Sequence, residues 1–443
     1  DDQHQGLSSE ETIDGNPAFR GNGARGISYV GLTGAIFEQV ELTKGHTPDQ
    51  NANSLGGGVN LKTRSPLSMK EKRRITYNLG GRWAPPFYTH GQERREHPIH
   101  PLLNFSYQEA FGIMGGERNL GVSVSLFYSE NVNSGSLESY LNQNTTASPA
   151  YIYDYRSITQ IANRHITTAN VKLEYRLSDA SKVFFGAIYN QGDEPAIDRS
   201  QIRFFTSQAI ATLDAGGRPT GTGTILPGFT NNRTQVRGLA ASQLEITDSH
   251  SSFIAACPTV TIGGESKFDR WDLDYKAAHT SMHIDRGVGI KGDGGTLVMR
   301  APSIGWTIDN TDPSSPRFTQ TEGRSIHDLA AYTGLLQHTI RDEIEQSWAL
   351  TGEFNSLYRL PTRYPTTIKS GLAYEQRKNN RTPQGNKQWT RVAGAPLLPN
   401  TPVFITMFDE RNGGRLPVVD ARATRAQLSQ TALWTEDLNY NEV

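Results

Sequence analysis

The chain has 443 residues, 44 Lys and Arg against 45 Asp and Glu, and a single cysteine, Cys257. Balanced charge excludes the broad basic surface that nucleic-acid binding needs, and one cysteine excludes a disulfide scaffold or a cysteine-rich zinc site. No window approaches the roughly 18 consecutive apolar residues of a membrane helix. That excludes helical spans only, because a membrane β-barrel alternates apolar with polar residues and is hydrophilic on average.

Residues 1–66 predict short strands among many glycines, without long hairpins. Asp1-Asp2-Gln3-His4-Gln5 has neither a basic nor an apolar stretch, so no signal peptide is expected there. Gly21-Asn22-Gly23-Ala24-Arg25-Gly26 fits G-x-G-x-x-G, but dinucleotide binding needs a strand before it and a helix after it. Ile27-Ser28-Tyr29-Val30 reads as a strand instead, and no cofactor is expected. The glycines around it make residues 16–26 an exposed, adaptable loop. Within it Phe19 offers a stacking face and Arg20 and Arg25 can clamp anions; taken alone, the same residues read as a solvated loop whose arginines keep it soluble.

From residue 73 the dominant period is two. Ile75, Tyr77, Leu79 and Trp83 share one face, opposite Arg74, Thr76, Asn78 and Arg82. Leu103, Phe105 and Tyr107 repeat the pattern, as do Leu120, Val122, Val124, Leu126 and Tyr128. Ala169, Val171, Leu173 and Tyr175 oppose Asn170, Lys172, Glu174 and Arg176, and after the turn at 177–180 Val183, Phe185, Ala187 and Tyr189 lead back. Trp271, Leu273 and Tyr275 alternate with Asp272, Asp274 and Lys276. Trp348, Leu350 and Phe354, then Ile368, Leu372 and Tyr374, continue the series, and a last strand is expected from Thr431-Ala432-Leu433-Trp434 onward.

The connections fall into two classes. Short turns lie near 111–117, 177–181, 267–270 and 358–365; long polar segments lie near 84–100, 131–164, 193–250, 284–340 and 378–430. Long structureless loops are unusual in compact soluble domains, whereas short turns at one end and long loops at the other mark an outer-membrane barrel. A soluble β-sandwich would show the same strand periodicity.

Val40-Glu41-Leu42-Thr43-Lys44-Gly45, followed by Gly57-Gly58-Val59-Asn60-Leu61-Lys62-Thr63 and preceded by Ile13-Asp14-Gly15, resembles the end of the plug domain of TonB-dependent outer-membrane receptors. His46 stands where that family commonly has Pro, and Lys44 where Arg is commoner. The resemblance implies a plugged barrel of about 22 strands. About ten strand candidates follow the motif, so the expected fold is all-β: a partial, unclosed transmembrane antiparallel β-barrel (67–443) with part of a plug domain (1–66). The implied function is energy-coupled uptake of a scarce solute, a ferric siderophore or an oligosaccharide, at the outer membrane of a Gram-negative bacterium. Implied partners are the TonB energy-transducing complex, through a segment expected outside this sequence, outer-membrane lipid and the solute, with no nucleic acid. A passive porin-like channel and a secreted β-sandwich binding or adhesion protein are the alternatives.

By the same resemblance, residues 16–26 form the apical plug loop, and Phe19, Arg20, Asn22 and Arg25 contribute to the ligand site. Glu41 and Lys44 are expected to latch the plug to charged residues of the barrel wall, a Lys giving a weaker latch than a bidentate Arg. The apolar faces of Leu120, Val122, Val124, Leu126, Val171, Leu173, Tyr175, Val183 and Phe185 are expected to meet lipid; Lys172, Glu174, Arg176, Asp272 and Asp274 are expected to line the lumen or hydrate the plug interface. No G-x-S-x-G, Walker A or H-E-x-x-H sequence occurs, so no enzymatic role is expected. His97 and His100 read as solvated loop histidines, and Cys257 as inert.

Overall fold

The computed structural model describes residues 10–14, 16–17, 36–44, 57–83, 98–143, 145–287, 292, 294–313, 315–383, 387–396, 398, 406–412, 414–417 and 419–437. Four short strands, β1 (Glu10–Ile13), β2 (Asn16–Pro17), β3 (Phe37–Lys44) and β4 (Gly57–Thr63), form a small sheet in the order β2-β1-β4-β3. β1 runs parallel to β4 and β3 antiparallel to it. Asp14 explains why β1 ends where it does. Its φ of 49° is a left-handed conformation that Asp tolerates, and its carboxylate accepts hydrogen bonds from Thr63 N (2.8 Å) and Thr63 Oγ1 (2.5 Å) at the end of β4.

Next come β5 (Arg73–Trp83), β6 (Ile99–Phe111), β7 (Leu120–Asn142), β8 (Ile152–Ser178) and β9 (Ser181–Phe205). Three short strands, β10 (Thr212–Leu213), β11 (Pro219–Thr220) and β12 (Arg233–Val236), precede the long β13 (Gln243–Phe268) and β14 (Trp271–Gly287). β15 (Gly295–Pro302), β16 (Gly305–Asp309), β17 (Arg317–Glu322) and β18 (Leu336–Ile340) lie before β19 (Glu343–Leu360) and β20 (Thr366–Pro383). β21 (Lys387–Arg391), helices α1 (Met407–Asn412) and α2 (Ala421–Arg425), and β22 (Trp434–Asp437) complete the described chain.

Nine long strands make a wall in the order β5-β6-β7-β8-β9-β13-β14-β19-β20, every neighbour antiparallel. Among the described residues its edges, β5 and β20, pair with one neighbour each, so the sheet is unclosed. At its outer end the sheet forks. The first half of β13 pairs with β15 and the second half with β14, and β15 leads on to β18, β21 and β22. The strand expected from Thr431 is therefore β22, a four-residue edge of this branch rather than a tenth wall strand. Length permits the fork: 26 residues of β13 span roughly 85 Å, over three times the roughly 25 Å apolar band of a membrane barrel.

One wall face is bare at the inner end, where the turns are short. Tyr77, Leu79, Leu126, Phe185, Ile262, Phe354 and Leu372 are exposed on it. The opposite face holds Ser123, Ser125, Thr168, Asn170 and Glu174, all buried. Against that face sits the small sheet: Ile188 of β9 packs with Ile13 and Ile36, flanked by Phe37 and Leu61. Residues of the 10–65 segment also touch Ser106 of β6, Glu174 of β8 and Lys276 of β14.

The main hydrophobic core lies at the outer end, not between wall and small sheet. Tyr155, Ile202, Phe204, Leu244, Ile246, Leu297 and Met299 of the wall and its branch pack under Trp306, Phe318, Phe408, Leu416, Val419 and Trp434. Phe204 lies 3.7 Å, centroid to centroid, from Phe318 and 5.5 Å from Phe408. A register shift in this region belongs to β9, which spends one residue more than β8 or β13 between matched pairs, a bulge at Pro195, which has no N–H to donate. β13 keeps its alternation throughout, so buried Leu244 and Ile246 lie on the same strand face as exposed Val260 and Ile262.

Candidate functional site

Among the described residues, the contact between the 10–68 segment and the wall joins the small Ile13–Ile36–Ile188 cluster to a set of polar ties. Glu174, 2% exposed, accepts hydrogen bonds from Ser65 Oγ (2.6 Å) and Leu67 N (3.1 Å), with Lys182 Nζ 3.8 Å away. Lys172 Nζ donates to Thr63 Oγ1 (3.0 Å) and lies 3.9 Å from Asp14 Oδ2. Lys276 Nζ, paired with Glu353 at 3.1 Å, donates to the Asp14 carbonyl (3.3 Å). Arg64 reaches Ser106 on β6. Of the expected lumen-lining residues, Lys172 and Glu174 make this contact directly. Asp272 pairs with Arg359 and Asp274 accepts from Asn355, both ties running between β14 and β19.

Glu41 and Lys44 are placed differently from the sequence expectation. Glu41 Oε1 lies 2.5 Å from Lys62 Nζ, and its other oxygen accepts from Asn60 Nδ2 at 3.0 Å. Glu41 faces Asn60 across the β3/β4 ladder, and Lys62 is two residues further along the same strand, so the nearest cation belongs to its own sheet. The hydrogen bond from Lys62 holds the Glu41 carboxyl below the usual carboxylate range. Lys44 is exposed at the end of β3 and makes no ion pair among the described residues. Phe19, Arg20, Asn22 and Arg25 lie outside the described residues, as does His97. His100 is not a solvated loop residue: it is buried in β6, with Nδ1 3.2 Å from Glu130 Oε1. Cys257 is a partly buried free thiol packed against the cluster of Met282, Ile284 and Ala349.

Sequence reading missed Asp14, Ser65 and Lys276 as contact residues. Asp14 belongs to the recognised motif, yet nothing local announces that its carboxylate turns back onto Thr63.

Two arginine groups lie toward the outer end on the strand face that the small sheet occupies lower down. Arg156, Arg203, Glu245 and Arg300 align across β8, β9, β13 and β15. Asp154 accepts from Arg156 (2.9 Å) and Arg203 (2.5 Å), Glu245 from Arg300 (2.6 Å), and Phe205 lies under both Arg203 and Arg300. In the second group Glu343 is shared by Arg286 (3.1 Å), Arg381 (2.6 Å) and Arg341 (3.7 Å), with Arg286 over Phe253. Each carboxylate is buried and shared by more than one guanidinium, while the guanidiniums are partly exposed. A fork of five N–H donors is not exhausted by such sharing, so the rows can meet carboxylate, hydroxyl or phosphoryl oxygens. Among the described residues no group of three or more His, Cys, Asp or Glu is arranged to hold a metal ion.

No family model and no curated protein matches the sequence. Solved structures do align with it. BauA, the ferric preacinetobactin receptor from Acinetobacter baumannii, aligns at 11% identity and a TM-score of 0.25, over 87% of this chain and 54% of that one. The siderophore receptor PiuA from the same organism aligns at 9% and 0.20, over 87% and 77%. The Serratia marcescens hemophore receptor HasR, a double mutant in complex with its hemophore HasA and heme, aligns at 8% and 0.18, over 87% and 74%. The chain thus spans about half the length of BauA. Each of these proteins is named a receptor, and at such TM-scores the alignments add no weight to any function.

Proposed function

We propose that this chain is part of a TonB-dependent outer-membrane receptor that takes up a scarce solute, a ferric siderophore or an oligosaccharide. The observation that carries the reading is the small sheet bearing the Ile13-Asp14 and Val40-to-Thr63 motif, seated on the inner face of a wall whose other face is bare and apolar. In this reading residues 1–66 are part of the plug, 67–443 part of the barrel, and the bare face lies in lipid.

The polar seat suits a plug that must move. Its hydrogen bonds exchange for bonds to water at a net cost of about 0.5–1.5 kcal/mol each, and the apolar cluster around Ile13, Ile36 and Ile188 is small. Work delivered by the TonB complex then has a modest contact to break. The solute meets the arginine groups from the wall side and Phe19, Arg20, Asn22 and Arg25 from the plug. Lys44 remains the candidate for a plug-to-barrel charge contact, and Glu41 enters such a latch as a pair with Lys62.

Membrane fractionation with and without a functional TonB tests the reading. The protein is expected in the outer membrane, released only by detergent, with uptake of labelled solute lost when TonB is absent. Uptake that persists without TonB would identify a passive channel, and release without detergent a secreted sandwich.

A further inference from the structure

Strand register sets out the side-chain rows on the bare face where it approaches the covered outer half. One row runs Tyr189, Pro258, Ser281, Trp348 and Lys378, the pairs on either side placing Ser281 opposite Pro258. The next row inward is Ala187, Val260, His279, Leu350 and Gln376; the next outward is Gln191, Ala256, His283, Gln346 and Asn380. Small Ala256 and Ser281 lie between bulky Tyr189 and Trp348. The result is an open groove of about 740 Å³, lined among others by Tyr189, Pro258, His279, His283, Trp348 and Asn380. The His279 ring stacks near Trp348, with centroids 6.4 Å apart.

The groove is chemically graded. Toward the inner end it opens onto Val260, Ile262, Leu350 and Phe354, all exposed. Two imidazoles line it, each of which donates an N–H even when neutral, and the register places Lys378 beside Trp348 on the next strand, β20. One row further out stand Asp285 and Asp193, the latter already engaged by His165 Nδ1 at 3.2 Å and by Gln191. An amphiphile with an acyl chain along the apolar end and an anionic head at the Lys and His rows matches this order. A cationic head would be drawn past the groove toward Asp285.

We propose that this groove binds one acylated lipid through a phosphate headgroup, the chain lying on Val260 and Leu350 and the phosphate between Lys378, His279 and His283. The site rests on the membrane placement proposed above, but not on transport. Native mass spectrometry tests it, using the receptor extracted from membranes in mild detergent and supplied with dioleoylphosphatidylglycerol or dioleoylphosphatidylcholine. One phosphatidylglycerol should be retained about five-fold or more over phosphatidylcholine, about 1 kcal/mol of preference. The joint replacement Lys378→Glu and His279→Ala should abolish that preference. Ser281→Trp, which fills the groove without touching a charge, should displace the lipid and decides the matter if the double variant does not assemble. Equal retention of the two lipids by the native protein, or an unchanged preference in both variants, overturns the site. Phosphatidylglycerol held by a protein whose uptake ignores TonB would leave the site standing and remove the transport reading; loss of the preference with TonB-dependent uptake intact would do the reverse.

Discussion

The inner and outer halves of the wall are made by the same strands, and they treat the same strand face in opposite ways. In β13, Val260 and Ile262 are exposed while Leu244 and Ile246 are completely buried. In β9, Phe185 is 38% exposed and Phe204 is 0% exposed. Apolar alternation states only that one face is to leave water; the chain between strands decides what covers it. At the inner end the turns, such as the one between Ser178 and Ser181, contain too few residues to cover anything. At the outer end the connections supply β16, β17, α1 and α2, and with them Trp306, Phe318, Phe408 and Ala421. The inner half is thus complete only in contact with something outside the chain, whereas the outer half has built its own cover.

The largest expected effect separates the halves directly. Phe204→Ala should cost about 3–5 kcal/mol, read as faster hydrogen exchange in 306–318 and 407–428. Phe185→Ala, on the same strand and face, should cost a small fraction of that, and equal losses would erase the distinction. Next in size is charge insertion. Val124→Arg places a guanidinium in the bare band, where lipid would make it cost about 2–4 kcal/mol, and should block assembly in the outer membrane. Ser136→Arg, on the same face of β7 but in its outer half, should assemble normally. Normal assembly of Val124→Arg would mean that the bare face does not meet lipid.

The inner half was legible in the sequence because one face there is apolar and the other polar, residue by residue. Ile75 to Trp83, Leu120 to Tyr128 and Val183 to Tyr189 all lie in strands as read. The outer half was not. Residues 131–164 and 193–250 read as loops, yet β7 runs to Asn142, β8 begins at Ile152 and β9 continues to Phe205. Polar residues stand on both faces there, as at Asn131, Gln160, Asp198 and Arg199, so no period of two survives. These extensions are held by ladder hydrogen bonds and by a cover drawn from distant sequence. The fork in β13 is likewise invisible locally, since it depends on pairing with β15 across an intervening hairpin. In the small sheet, the Lys62 partner of Glu41 could have been found: it lies in the recognised motif, one step along the face from the residue opposite.

The seat of the small sheet gives smaller effects. Glu174→Gln removes the anion that Ser65 Oγ and Leu67 N address in a buried site, and should loosen residues 64–68 by about 1–3 kcal/mol, read as faster exchange or proteolysis there. Glu41→Gln breaks a partly exposed pair with Lys62 and should cost only about 0–1 kcal/mol. A larger effect at Glu41 than at Glu174 would move the latch to β3.

The smallest net effect in the native protein hides two opposing ones in the covered half. Ala421, at the start of α2, is gripped at both its peptide groups: its N–H donates to Asp248 Oδ2 at 3.0 Å, and its carbonyl accepts from His338 Nε2 at 3.1 Å. Burial raises the Asp248 carboxyl from 3.8 to about 7 and lowers the His338 imidazole from 6.5 to about 4. Between pH 4 and 6.5 the folded state therefore keeps a proton on Asp248 that the unfolded chain has lost, and lacks one on His338 that the unfolded chain carries. The first difference makes stability fall with rising pH up to about 7; the second makes it rise with pH up to 6.5. With one proton in each direction the slopes cancel, and the docking of α2 should be nearly independent of pH across that window. His338→Phe should unmask a loss of protection at amides 421–428 as pH rises from 4 to 7, whatever its overall stability. Asp248→Asn should unmask the opposite slope, with protection growing toward pH 6.5. If the native protein shows either slope at full strength, or if the two variants slope the same way, Asp248 and His338 do not exchange protons in opposite senses on folding, and the cover of the outer half is held without regard to their charge.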